Sequence, residues 1–206
     1  MQPYQTIRGT ADGTLTEKKS EFIAAAAHVE TEEQALAFLD SVRAQHRTAK
    51  HHVYAYLLRE GERTRYSDDG EPAKTAGMPV LDVLRHAGLT DVILVVTRYF
   101  GGILLGTGGL VRAYTGAAQA ALAAAEVVTV TPCVRLQAAL AYPLYDRAVL
   151  LVQSAGARIE STDYGADVTL HLLLPDGGQQ ALTDALTELS RGQARITCSD
   201  VFFTAF

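Results

Sequence analysis

The 206-residue chain predicts an α+β protein of two domains, residues 1–130 and 131–206. Three observations carry that prediction. Asp91–Thr97 is an apolar, mostly β-branched run that leads through a glycine-rich turn into an alanine-dense helix. Upstream of it, apolar spacing switches between the strand period and the helix period. Beyond Pro132 the texture changes, and the remaining residues read β-α-β-β-α-β over about 75 residues, the ferredoxin-like pattern.

The elements follow in order. Residues 13–29 alternate loosely and then turn small and apolar, which predicts a pair of strands. Thr31 followed by Gln34 predicts a capping box, and Leu36, Leu39 and Val42 place a helix over 32–46. Val53–Leu58 alternates aromatic and aliphatic residues as a strand does. Gly61–Ala76 is polar and rich in turn formers, a loop around a short strand at Arg63–Ser67. Pro79–His86 predicts a short helix stopped by Gly88. Asp91–Thr97 predicts a strand buried on both faces, and Leu110–Glu126 a helix whose alanines favour helix and allow close packing. The second domain predicts strands at 134–141, 157–163, 166–174 and 194–204 and helices at 144–155 and 178–190. In that topology the first and last strands are neighbours, which brings Cys133 and Cys198 towards each other as two small thiols.

Charge and composition narrow the function. The net charge of −5 excludes a uniformly basic protein that coats nucleic acid, because such binding needs many cations within reach of phosphates. It leaves room for a local basic face: residues 43–112 hold 10 Lys/Arg against 7 Asp/Glu, or +3, and the rest 8 against 16, or −8. Two cysteines without CxxC or zinc spacing predict a reduced interior. No basic stretch followed by an apolar core opens the chain, and no apolar run approaches a membrane span. The expectation is a soluble, cytoplasmic protein without membrane contact.

The sharpest local feature is the glycine-rich turn of Gly101, Gly102, Gly106, Gly108 and Gly109, with Thr107 among them. Glycine permits positive φ and close approach of backbone to a ligand, and the N–H groups of the following helix attract an anion. The turn is neither a Walker loop nor the dinucleotide fingerprint. Tight turning and close helix–sheet packing explain the glycines equally well. Arg98 closes the buried strand, where a guanidinium needs a partner: either a nearby carboxylate or a ligand phosphate. Arg112 lies in the first turn of the helix, the unfavourable end of the dipole for a cation, so a neighbouring anion or a solvated surface position accounts for it. Asp68, Asp69 and Glu71 either hold a hard cation, form a solvated turn, or neutralise Arg98 or Arg65. Lys50 precedes a strand whose His52 and Tyr54 share one face, suited to stacking on a base and equally to ordinary packing. No nucleophile elbow or zinc-binding helix is legible. The residue types lean away from an enzyme, and no cofactor or metal is expected.

Four motifs together resemble the IMPACT/YigZ family, in its bacterial branch: Lys18-Lys19-Ser20-Glu21-Phe22-Ile23, Arg65 to Pro72, Thr75 to Pro79, and Val96 to Gly102 continuing as Leu105 to Tyr114. Glu21 stands where that pattern carries a basic residue. The resemblance implies a first domain of the ribosomal protein S5 domain 2-like fold. It also implies a ferredoxin-like second domain similar to domains of elongation factor G. Eukaryotic members regulate translation largely through an extra N-terminal RWD domain, for which residues before 15 leave no room. The expectation is therefore a protein that binds RNA or a ribosome-associated partner. Lys50, His52, Tyr54, Arg98, Arg112 and the 101–109 turn would be its contacts, and Asp68, Asp69 and Glu71 a supporting acidic cluster. A phosphate- or nucleotide-dependent enzyme and a protein–protein module are the alternatives; the oligomeric state is not legible.

Overall fold

The computed structural model describes residues 2–206 and divides into two compact units, Tyr4–Val128 and a second that comprises Thr129–Phe206. The first unit opens with β1 (Tyr4–Ile7), a short strand without alternation long enough to announce it. An antiparallel five-stranded sheet follows, ordered β2-β3-β6-β4-β5. Its strands are β2 (Thr10–Glu17), β3 (Ser20–His28), β4 (His51–Leu58), β5 (Arg63–Ser67) and β6 (Val92–Tyr99). The central strand β6 is buried on both sides, which is why its sequence is an unbroken apolar run. Even-numbered Val92, Leu94 and Val96 face one core with Phe22, Leu81, Leu84 and Tyr114, while Ile93 and Val95 face the other with Leu39, Val42 and Tyr56.

Helix α1 (Glu32–Gln45) covers the second face; α2 (Gly77–His86) and α3 (Thr107–Ala124) cover the first. The Thr31 hydroxyl accepts the Gln34 N–H at 3.3 Å, and the Gln34 side chain accepts the N–H of Glu30 at 2.7 Å, so the cap reaches one residue further back than a simple box. Helix α3 lies so close to β2 that a Cβ on Gly13 would stand 2.3 Å from the backbone nitrogen of Ala121. It also begins three residues earlier than the alanine pattern predicts. Gly106, at φ 72°, turns the chain into the helix, and Gly108 and Gly109 form its first turn.

The second unit begins on β7 (Val127–Leu140), a strand longer than the expected 134–141 because pairing continues through Pro132. Then come α4 (Tyr145–Ser154), β8 (Arg158–Tyr164), β9 (Val168–Pro175) and α5 (Gln179–Leu189). The expected single last strand is two, β10 (Arg195–Cys198) and β11 (Phe202–Ala205), broken where the Ser199 hydroxyl accepts the Arg135 N–H and the Ser199 N–H donates to the Arg135 carbonyl. The antiparallel order runs β8-β9-β7, with β10 and β11 both on the far side of β7. Leu136, Leu140, Leu170, Leu172, Leu174, Val152 and Leu186 form this unit's core. Both thiols are free: Cys133 is buried opposite Phe202, and Cys198 is exposed opposite Leu136. Among the described residues, no helix is long and apolar enough to cross a membrane.

Candidate functional site

The registers of the first sheet bring the singled-out motifs to one end of it. Glu21 pairs with Tyr99, Phe22 with Arg98, and His51 with Arg98. The β2–β3 turn, the start of β4, the end of β6 and the loop into α3 therefore share that end. Residues 68–76 close it from the side, since the His51 ring nitrogen Nδ1 meets the Asp69 carbonyl at 2.8 Å.

Arg98 settles between its two alternatives by burial. Its side chain is 7 % exposed, and Nη1 lies 2.6 Å from Oε1 of Glu71, itself 4 % exposed. The Tyr114 hydroxyl donates to the same carboxylate oxygen at 2.7 Å. Burial, then the charge and hydrogen bond of Glu71, push the Tyr114 phenol far above its ordinary range, so it remains a donor. The guanidinium carbon sits 5.5 Å from the ring centres of both Phe22 and Phe100. Arg98 is thus a post that ties the 68–76 loop to β6 and α3, rather than an outward contact for phosphate. The other acidic residues are also engaged by the chain's own donors. Asp68 accepts the N–H groups of Lys74, Ala76 and Gly77 at 2.8, 3.0 and 2.8 Å and so fixes the start of α2. Asp69 accepts the His52 N–H at 2.6 Å.

His52 and Tyr54 turn inward as well. His52 is 7 % exposed, on the α1 side of the sheet. Burial holds its imidazole below the ordinary histidine range, against the opposing pull of the His46 backbone and of Asp69. Tyr54 is half-buried and stacked on Tyr56, ring centres 6.3 Å apart. The polar-aromatic face read from the sequence is real, and it packs beneath α1.

What remains outward is a set of cations. None of the chain's four lysines, Lys18, Lys19, Lys50 and Lys74, has an ion pair or side-chain hydrogen bond among the described residues, and neither does Arg112. All five are exposed. By contrast Arg8, Arg59, Arg63, Arg65 and Arg98 of the same unit each sit beside a carboxylate. Lys18 and Lys19 form the two-residue β2–β3 turn with φ of 45° and 66°. Such a turn wants Asn-Gly, since left-handed backbone costs an ordinary L-residue about 1–2 kcal/mol. The turn is locked in place. Gly101 packs so tightly on it that a Cβ would stand 2.0 Å from the Lys19 carbonyl, and the Gly101 N–H donates to Ser20 Oγ at 3.1 Å. Arg112 folds back towards the start of α3, its Nη1 3.7 Å from where a Gly108 Cβ would be. That helix start carries no side-chain cap, so the N–H groups of its first turn face outward beside Thr107. Glu17, last in β2, is the exposed carboxylate nearest in sequence, and Glu21 leaves on the opposite face from Phe22. Lys18 and Lys19 carry weak sequence signal because a basic pair in a hairpin turn has no distinctive spacing.

The chain matches the family model of the Impact N-terminal domain over residues 18–122, and that of a domain of unknown function (DUF1949) over residues 139–193. It is 38 % identical to the Escherichia coli IMPACT family member YigZ, over 87 % of this chain and 89 % of that one. It is 40 % identical to an IMPACT family member of Thermus thermophilus, over 85 % and 96 %. A crystal structure of a hypothetical protein, 36 % identical, superposes with a TM-score of 0.64 over 95 % of this chain and 97 % of that chain. The Impact model thus begins at Lys18, the first residue of the strained turn, and takes in all four lysines, the Glu71–Arg98–Tyr114 group and the start of α3.

Proposed function

Because the chain belongs to the IMPACT family, we propose that it is a cytoplasmic RNA-binding protein that acts in translation. In this proposal the lysine-bearing end of the first unit contacts the phosphate backbone. Lys18, Lys19, Lys50 and Arg112 supply the charge; Thr107 and the N–H groups at Gly108 and Gly109 supply directed donors. Gly101, Gly102 and Gly106 shape the loop, and the Glu71–Arg98–Tyr114 group and Asp68 and Asp69 hold it. The buried His52 and the half-buried Tyr54 stand behind it as support. The finer fold assignment, S5 domain 2-like for the first unit and ferredoxin-like for the second, fits this use. The strand order β10-β7-β9-β8, with two helices on one side of the second sheet, supports the ferredoxin-like part of it, and the first unit's part rests on the family resemblance.

The observation that carries the proposal is the lysine turn. Two lysines occupy left-handed backbone that a relaxed hairpin would give to Asn-Gly. Strain of this kind persists where the surrounding structure fixes it, and it clusters at sites of function. The test is RNA binding at several salt concentrations, wild type against Lys18→Ala/Lys19→Ala/Arg112→Ala. Each lost contact on a single strand should remove about 0.7 from the slope of log K against log salt. An unchanged affinity and slope would refute the assignment.

A further inference from the structure

Three apolar side chains stand exposed on the same loop: Phe100 at 55 %, Ile103 at 43 % and Leu104 at 82 %. Phe100 is not a loose side chain. Its ring centre lies 5.5 Å from the Arg98 guanidinium carbon, whose position is set by the buried Glu71 and by the Phe22 ring, also 5.5 Å away. The backbone beyond it turns away at once, with Gly101 clamped to the hairpin and Gly102 at φ 84°. The result is an aromatic ring backed by a cation, more than half open to solvent, and one residue from Gly101, which packs on the Lys18–Lys19 turn.

A duplex offers phosphates and sugars on its outside and keeps its base faces stacked within. It would satisfy the lysines and leave Phe100 and Leu104 in water. A single strand offers both, since every unpaired base has a π-face. From this we infer that the site takes unpaired RNA, with Phe100 as the stacking platform for a base, Leu104 and Ile103 as its apolar flank, and the lysines on the adjoining phosphates. The inference rests on the RNA-binding function proposed above and narrows it to single strands.

Fluorescence anisotropy on the full chain, with a labelled oligouridylate and a blunt RNA duplex of equal phosphate number, tests it. The oligouridylate should bind more tightly than the duplex. Phe100→Ala should weaken the oligouridylate roughly 5- to 150-fold, leave duplex affinity alone and leave the salt slope unchanged. Phe100→Leu keeps the apolar cover over Arg98, so a normal melting curve for it separates lost stacking from lost folding; it should bind like the alanine variant. The chain has no tryptophan, so Phe100→Trp creates a single reporter. Its emission should be quenched by the oligouridylate and not by the duplex. Equal binding of strand and duplex, or wild-type binding by a folded Phe100→Leu, would overturn the stacking site while leaving the phosphate contacts standing. Failure of both RNAs to bind at low salt would overturn the underlying function as well.

Discussion

Glu71 shows how far a single residue governs this end of the molecule. Its carboxylate is enclosed with one guanidinium and one phenol, so truncation leaves a buried cation unpaired. Glu71→Ala should cost about 3–5 kcal/mol in urea denaturation, and Tyr114→Phe about 1.5–3 kcal/mol for one hydrogen bond to a charged group. A Glu71→Ala loss below about 1 kcal/mol would mean that the pair is solvated rather than buried. His52 bears on pH. Burial holds its imidazole below the ordinary histidine value of about 6.5, so the unfolded chain binds the proton more readily. The stability it lends is present above pH 6.5 and is lost as pH falls from there towards the depressed folded value. His52→Gln should therefore flatten the fall in stability between about pH 7 and 5; an identical profile would contradict the buried neutral ring. The sequence posed both questions without answering them. That Arg98 needs a partner follows from its place at the end of an apolar strand. Which of Asp68, Asp69 and Glu71 supplies it depends on a loop path that no local pattern encodes. Likewise the alternation that puts His52 and Tyr54 on one face is legible, but the helix that covers the face is not.

Among the elements, the β2–β3 hairpin carries the clearest trade. Lys18→Asn/Lys19→Gly gives the turn the residues its backbone wants and should raise stability by about 1–2 kcal/mol, while RNA affinity falls. Thermal unfolding and a binding isotherm on the same preparation measure both. A variant that gains stability and keeps full affinity would remove the lysine turn from the site. The hairpin itself is legible, because residues 13–29 alternate loosely and then turn small and apolar from Phe22 to Ala27. Its turn is not, because Lys-Lys carries no turn signal and only its packing on Gly101 explains it. The start of α3 fails for a related reason: glycine lowers helix propensity, so Gly108 and Gly109 read as loop, although Gly106 at φ 72° already sets the helix direction. Strand β6 and the body of α3 are the most legible elements, since burial on both faces and alanine-mediated contact each impose their own composition. The break between β10 and β11 leaves no comparable trace, because it depends on hydrogen bonds from Ser199 to Arg135 across the sheet.

At the scale of the whole molecule, a net charge of −5 conceals an uneven distribution. Most arginines of the first unit sit beside internal carboxylates, whereas no lysine has an ion pair among the described residues, and the registers of one sheet gather Lys18, Lys19 and Lys50 at a single end. The second unit spends its charge differently. Arg135 is paired with Glu160 at 2.8 Å and Arg195 with Asp167 at 2.8 Å, so two of its five arginines are held by its own carboxylates, and it has no lysine. RNA affinity should therefore reside in the first unit and be strongly salt-dependent, despite the acidic total. The most direct measurement is the slope of log K against log salt for an oligouridylate. It should be compared between wild type and the variant with Lys18, Lys19, Lys50 and Arg112 all changed to alanine. Four lost phosphate contacts predict a slope shallower by about 2.8, together with a large loss of affinity at low salt. A variant that keeps both the slope and the affinity of the wild type would contradict the claim that this end of the protein grips a phosphate backbone.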